Sequence, residues 1–421
     1  MDKSASIVSQ SVKNRISLYD RVREALEQLP SGEGKSIFNF WGCPGEGRTT
    51  LLEHLRDILF KKVDSVTVAM WDADKIPVDE LIVDIQTWLE IASHQLIKVI
   101  LIDNLRALLV DGSDNPYFVE FEHNLVTELV NRNDVLMIIA SQHEIRQWHE
   151  LLVRMRQTSW LIPPMTREEF DEAAQARGIQ PAKALELSLG HPAPLDWIYD
   201  KPGISIDEID SRAIKYFLRG LEEDISEETR ALSLLLQFDE IVMERALEAA
   251  GLGGEKTYFD LLDSIRKMGF AGMLLHDSRT GVYKFTDASV RRLLARGYRR
   301  ENSQRIQRIH ETIFAYYSEA ARRASILQNN LCSAVFHLAW YAKLKGENVV
   351  ASCIDWVNLM TPFWKDADWE QTWHVWLSGQ GESTIVLELC ELLGDDGYNK
   401  LSDMFKAEWR KYHEKTDTQS V

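Results

Sequence analysis

The sequence predicts a three-layer α/β domain on a five-stranded parallel sheet, followed by a helical lid, a unit of three helices and a β-hairpin, and an all-helical C-terminal region. Three observations predict it. Between residues 36 and 163, apolar stretches alternate with amphipathic ones, the pattern of parallel strands covered on both faces by helices. The first apolar stretch runs through a glycine-rich turn into a helix. The third ends in an acid, Asp103, at the carboxyl end of a strand, where such sheets bind ligands.

The strands are expected at 36–41, 65–71, 98–103, 134–140 and 158–162, with helices at 48–61, 78–96, 116–132 and 143–155. A preceding helix carries Ile16, Tyr19, Val22 and Leu26 on one side and stops at Pro30-Ser31-Gly32-Glu33-Gly34. In the stretch SIFNFWGCPGEGRTTLLEHL, the turn fits the phosphate-loop pattern G-x-x-x-x-G-K-[ST] as Gly42, Gly47, Arg48 and Thr49, with arginine in the lysine position. Such a loop, with Gly45 and Thr50 completing it, wraps backbone N–H groups around a phosphate at the positive end of a helix. This makes the domain an α/β three-layer P-loop NTPase domain. Thr49 stands where a magnesium ligand is needed. Arg48 is a planar fork where a lysine would be a point charge, and the two are not interchangeable.

Val99-Ile100-Leu101-Ile102 followed by Asp103 is the run that presents a carboxylate to magnesium, or else a buried strand ending in an Asp-Asn turn. The next residue is Asn104, where a second acid would polarise the attacking water; an amide is no base. The fourth strand runs into Ser141-Gln142-His143. Ser141 or Gln142 either senses a γ-phosphate or caps the following helix.

The remaining elements are smaller. Thr166 and Glu169 form a capping box that opens a helical lid, and Gly190-His191-Pro192-Ala193-Pro194-Leu195 interrupts it, as a turn or as a contact to a nucleotide. Helices at 227–237, 240–250 and 256–268 precede two short strands around Asp277-Ser278-Arg279-Thr280-Gly281, and a further helix starts near Asp287. Three helices and a hairpin make a winged-helix segment. Arg291, Arg292, Arg296, Arg299, Arg300, Arg305 and Arg308 then form a basic run, read either as a solvated helix face or as a DNA contact. Residues 301–421 read as helical. Five tryptophans from Trp356 to Trp376 are either core or a partner-binding patch, and the tail after Tyr412 is polar and expected to lack order. The divisions are thus 1–35, 36–163, 164–222, 223–300 and 301–421.

The totals narrow the function. A net charge of −17 argues against nucleic acid or anionic membrane as a partner of the whole surface. No apolar run spans a membrane and the start lacks the apolar core of a signal peptide, so a cytoplasmic protein is expected. The four cysteines are scattered, without the spacing of a zinc site or a disulfide framework.

Taken in order, FNFWGCPGEGRTT, VILIDN, VLMIIASQHEIRQW, LIPPMTREEF, GHPAPLDWI and YKFTDASVRRLLARGY resemble the STAND class of signal-transduction ATPases over residues 15–300. The resemblance implies an ADP-bound form held closed by the winged helix, opening on exchange to ATP for oligomerisation, with a C-terminal array that senses the trigger. It implies nucleotide contacts at Gly42, Gly45, Gly47, Arg48, Thr49 and Thr50, magnesium at Thr49 and Asp103, and Pro192 in the lid near the base. The chain departs from the pattern at Arg48, at Asn104, at Ser141-Gln142-His143 where an arginine is common, and at Asp287 where a histidine would meet the ADP β-phosphate. A carboxylate there repels that phosphate. Four departures at one ligand imply a degenerate site that has lost hydrolysis and binds ATP or ADP with magnesium weakly, structurally or not at all. The length leaves no room for a fused effector, so a separate protein partner, met through the C-terminal helices, is expected, in signalling or biological conflict (defence). The alternatives are a slow ATPase switch of the same class and a winged-helix transcription regulator that binds DNA.

Overall fold

The structure, a computed structural model, describes residues 16–419 apart from 33, 63–64, 93–95, 106–114, 255, 279–280, 324–327 and 364–383. The chain forms two compact units, Met1–Ile225 with Asp263–Leu275, and Ser226–Leu262 with His276–Val421.

The first unit begins with α1 (Ile16–Gln28), then β1 (Ile37–Trp41), α2 (Arg48–Lys62), β2 (Val66–Asp72), α3 (Val78–Ile91) and β3 (Ile97–Asp103). Next come α4 (Pro116–Phe121), a π-helical turn (Glu122–Val126), α5 (Thr127–Val130), β4 (Val135–Ser141), α6 (Leu151–Arg156) and β5 (Gln157–Leu161). The five strands are parallel in the order β2-β3-β4-β1-β5, so β4 lies between the loop-bearing β1 and the acid-bearing β3. The sheet has a core on each face. Phe38, Phe40, Val99, Leu101, Leu136 and Ile138 pack with α1 and α2. Ile37, Ile100, Ile102, Met137 and Ile139 pack with α3, α4 and α5. Successive strand residues point to opposite faces, so near-continuous apolar strands serve both cores.

Two expectations for this unit are corrected. The helix expected at 143–155 is reduced to α6, because side chains take the amides it would use. Asn39 Oδ1 accepts from Ile145 N–H (2.9 Å), and the Glu122 carboxylate accepts from the N–H groups of His149 (2.9 Å) and Glu150 (2.8 Å). The helix expected at 78–96 stops at Ile91, and Ala92 is extended. Within the expected helix 116–132, the hydroxyl of Thr127 donates to the carbonyl of Glu122 (2.9 Å) beside the π turn.

The segment expected as a lid holds α7 (Arg167–Ala176), α8 (Pro181–Ser188), α9 (Ala193–Asp200) and α10 (Ile206–Phe217). The Thr166–Glu169 capping box opens α7. After α11 (Glu223–Leu232) come α12 (Glu240–Ala250) and α13 (Tyr258–Phe270). The strands β6 (Leu274–Asp277) and β7 (Val282–Phe285) form a two-stranded sheet.

In the second unit follow α14 (Ala288–Glu301), α15 (Ser303–Arg323), α16 (Gln328–Lys345), α17 (Val349–Met360) and α18 (Thr384–Gln419), kinked at Gly394. The tail expected to lack order is helical as far as Gln419. Extending an existing helix avoids the cost of nucleation, so a polar, Lys/Glu-rich end follows a packed start. Of the five tryptophans from Trp356 to Trp376, Trp364, Trp369, Trp373 and Trp376 lie outside the described residues; Trp356 is buried and donates to Ser318 Oγ (2.9 Å).

Three arginines of the basic run are engaged within this unit, while Arg300 and Arg308 are exposed. Arg291 is buried, bonds Glu388 and donates to the carbonyl of Ser233 (3.0 Å), and Arg292 pairs with Glu391. The Arg299 guanidinium lies 3.6 Å from the centroid of Trp340, and burial holds its pKa at about 9. Among the described residues, no helix is long and apolar enough to cross a membrane.

Candidate nucleotide site

The sheet's topology assembles the site. β1 ends at Trp41, the glycine-rich turn follows, and α2 begins at Arg48, which puts the helix N-terminus at the loop. Gly45 and Gly47 have φ of +87° and +79°, backbone that favours glycine. A Cβ on Gly42 would collide with the Glu46 carboxylate, which accepts from Cys43 N–H (2.8 Å) and so shapes the base of the loop. The lid presses on its other side. A Cβ on Gly45 would lie 2.8 Å from His191 Cε1, 2.9 Å from Ala193 Cβ and 3.4 Å from Tyr216 Cε1.

Arg48 is 8 % exposed, and its Nη1 has no hydrogen-bond partner. Burial lowers its pKa, against the nearby Asp103, Cys43 and Glu46, which favour its charge. A buried cation with an unmatched donor, at the positive end of a fifteen-residue helix, is a fit for an anion.

Asp103 is also buried, and burial raises its pKa; the Thr49 hydroxyl, Arg48 and the Asn104 amide oppose the rise, while Asp72 adds to it. The Thr49 hydroxyl donates to Asp103 Oδ2 (2.6 Å). Thr49 Oγ1 and the Asp103 carboxylate are hard oxygen donors side by side, a set that fits magnesium. Among the described residues, no group of three or more His, Cys, Asp and Glu is placed to hold a metal ion.

Asn104 takes the left-handed conformation (φ +56°) and donates from Nδ2 to Asp72 Oδ1 (3.1 Å). Asp72 ends β2 in register with Asp103 and pairs with Lys75 (2.7 Å). Slight burial raises the Asp72 pKa, but the hydrogen bonds from Lys75, Asn104 and Asp74 outweigh it, and the group stays below the usual range.

The loop residues Gly42, Gly45, Gly47, Arg48 and Thr49 thus converge with Asp103, and Thr50 follows in the first turn of α2. Ser141 is fully buried: its hydroxyl donates to the carbonyl of His143 and accepts from Asn39 Nδ2 (each 2.6 Å). It caps no helix, since none begins there. A Cβ on Gly272 (φ +73°) would lie 2.5 Å from the carbonyl oxygen of Gln142, so that backbone is packed on residue 272. His143 bonds the carbonyl of Phe270 (3.0 Å) through Nδ1, and burial holds its pKa at about 4. Pro192 opens α9 beside His191. Asp287 caps α14 in the second unit, accepting from Ser289 (2.5 Å) and Val290 (3.3 Å) N–H.

Asp72 and Tyr216 were not identified from the sequence. Asp72 had a signal, an acid closing VTVAMWD one residue beyond the expected strand. Tyr216 had none, since its place over the loop depends on how the lid folds back.

The first unit and the helical C-terminal region have the α/β P-loop NTPase fold class with an all-helical end. No protein-family model matches the chain, and no curated protein matches it. Solved structures that resemble it include the Aeropyrum pernix ORC2 protein in ADPNP–ADP complexes. It is 13% identical, with 69% of this chain and 94% of that chain covered, and a TM-score of 0.35. The Thermotoga maritima RuvB Holliday junction branch migration motor is 16% identical over 67% of this chain and 93% of its own, with a TM-score of 0.32. AMPPCP-bound DnaA from Aquifex aeolicus is 15% identical over 62% of this chain and 86% of its own, with a TM-score of 0.29.

Proposed function

We propose that the chain is a STAND-like nucleotide-binding regulator with an altered phosphate site, holding ADP or ATP without efficient turnover and acting with a separate protein partner in signalling or biological conflict. The observation that carries this reading is Arg48: a buried guanidinium with an unmatched Nη1, at the mouth of a glycine loop whose backbone excludes side chains. Arg48 would contact the phosphates in place of lysine, and the first-turn amides of α2 would bind their oxygens. Magnesium, when bound, would be held by Thr49 and Asp103 and would neutralise phosphate charge. The position that would polarise water is Asn104, whose amide donates to Asp72.

A slow ATPase is the second reading, favoured by the intact Thr49–Asp103 pair. Phosphoryl transfer through a loose transition state needs positioning more than a base. DNA binding is less favoured, because Arg291, Arg292 and Arg299 are engaged with Glu388, Glu391 and Trp340. The five-part division, with residues 223–300 as a winged helix and the C-terminal helices as the partner surface, belongs to this proposal.

The test is nucleotide content and affinity. The purified chain is denatured and the supernatant analysed for ADP and ATP; fresh chain is then titrated with both, with magnesium, by calorimetry. Binding that falls at least tenfold in Arg48→Ala and in Thr49→Ala is the expected result. No binding at millimolar nucleotide refutes the reading.

A further inference from the structure

The lid meets the phosphate loop through an aromatic side chain that the site's expected chemistry does not use. Tyr216 is near the end of α10, and its Cε1 would be 3.4 Å from a Cβ on Gly45. The ring is held by neighbours on its own unit: Trp197 at 5.7 Å and Phe217 at 5.2 Å between centroids, both edge-on. Phe217 in turn meets His191 edge-on at 4.9 Å, and His191, like Ala193, also lies against Gly45. The ring is fixed, yet Tyr216 is 41% exposed. A tyrosine that touches a phosphate loop and keeps an open side is placed to meet what the loop binds.

We propose that Tyr216 is a ligand contact of this site, its hydroxyl and the Arg48 guanidinium acting as two donors, one from the lid and one from the loop, to the terminal phosphate of a nucleoside diphosphate. The inference rests on the nucleotide-binding reading above and adds the contact from the lid. Burial raises the phenol's pKa, Arg48 lowers it and Cys43 raises it, so the hydroxyl lies within electrostatic reach of the loop's cation. A phenol that stays protonated would donate to a phosphate oxygen, as the unmatched Nη1 of Arg48 would. The consequence is coupling: a terminal phosphate bridging Arg48 and Tyr216 would tie α10 to α2, and loss of that phosphate would release the lid.

The test compares the full chain with Tyr216→Phe, which keeps the ring packing and removes only the hydroxyl. Affinity is measured for ADP and for AMP by displacement of a fluorescent ADP analogue, in the presence of magnesium. The expected result is a five- to twentyfold loss for ADP with AMP unchanged within twofold. Tyr216→Ala, with folding checked by circular dichroism and thermal unfolding, should lose at least as much for ADP. Equal ADP affinity in the chain and in Tyr216→Phe, with wild-type binding intact, overturns the inference alone. Equal losses for ADP and AMP overturn it too, since the contact would not be to the terminal phosphate. Failure of the unmodified chain to bind ADP overturns the nucleotide reading and the inference with it.

Discussion

Gly45→Ala tests directly whether the lid seats on the loop. Gly45 has φ +87°, and an alanine there carries a left-handed backbone penalty of about 1–2 kcal/mol. Its Cβ would also sit 2.8 Å from His191 Cε1 and 2.9 Å from Ala193 Cβ, inside ordinary carbon–carbon contact. Relieving such overlap in a packed region costs about 1–3 kcal/mol more. The total is about 2–5 kcal/mol. Gly178 supplies the control: its φ is +70° and nothing lies within 4 Å of its Cβ position, so Gly178→Ala carries the backbone penalty alone, about 1–2 kcal/mol. Urea unfolding followed by tryptophan fluorescence gives both values, and the difference isolates the lid contact. If the two variants agree within about 0.5 kcal/mol, His191 and Ala193 do not rest on Gly45 and the site as described is wrong.

Two further outcomes are expected. Asn104→Glu, which supplies the missing second acid, should destabilise the chain by about 2–4 kcal/mol without raising nucleotide turnover. It replaces the 3.1 Å bond to Asp72 with carboxylate repulsion beside Asp103, at a residue with φ +56°; urea midpoints and a phosphate-release assay check it, and a stable variant with faster release would refute it. In the second unit, His310 and His337 meet at 2.9 Å between Nδ1 atoms, both buried, with Arg291 and Arg299 nearby. Burial first, then those cations, holds His337 at about 3, and burial, then His337 and the same cations, holds His310 well below its usual value. Unfolded histidine titrates near 6.5, so this contribution is whole above that pH and is lost as pH falls towards 3, at about 1.4 kcal/mol per pH unit for each histidine. Urea midpoints between pH 7 and 4 should show that slope reduced in His337→Gln; an unchanged slope would refute it.

The local features of this protein were legible in its residues because they are set by near neighbours. Five stretches became five parallel strands within a residue or two of their expected ends, and the three inner ones, β1, β3 and β4, buried on both faces, carry near-continuous apolar runs. The loop at Gly42–Thr49, the Thr166–Glu169 capping box and the acid at Asp103 are likewise short-range patterns. The segment 143–150 failed as a helix because Asn39 and Glu122, distant in sequence, supply acceptors for its amides, and no periodicity encodes them.

The roles of the charged and polar residues were decided by tertiary structure. A run of arginines after the hairpin reads as a surface in the sequence, but Glu388, Glu391 and Trp340 arrive from α18 and α16 to engage Arg291, Arg292 and Arg299. Asn104 reads as a lost acid, and only the pairing of β2 with β3 brings Asp72 against it. Tyr216 is one aromatic on an amphipathic helix until the lid folds back onto Gly45. Composition and periodicity determine which segments are buried. Which polar groups meet depends on strand order and on helices closing over the sheet, and those contacts join residues the local pattern cannot relate.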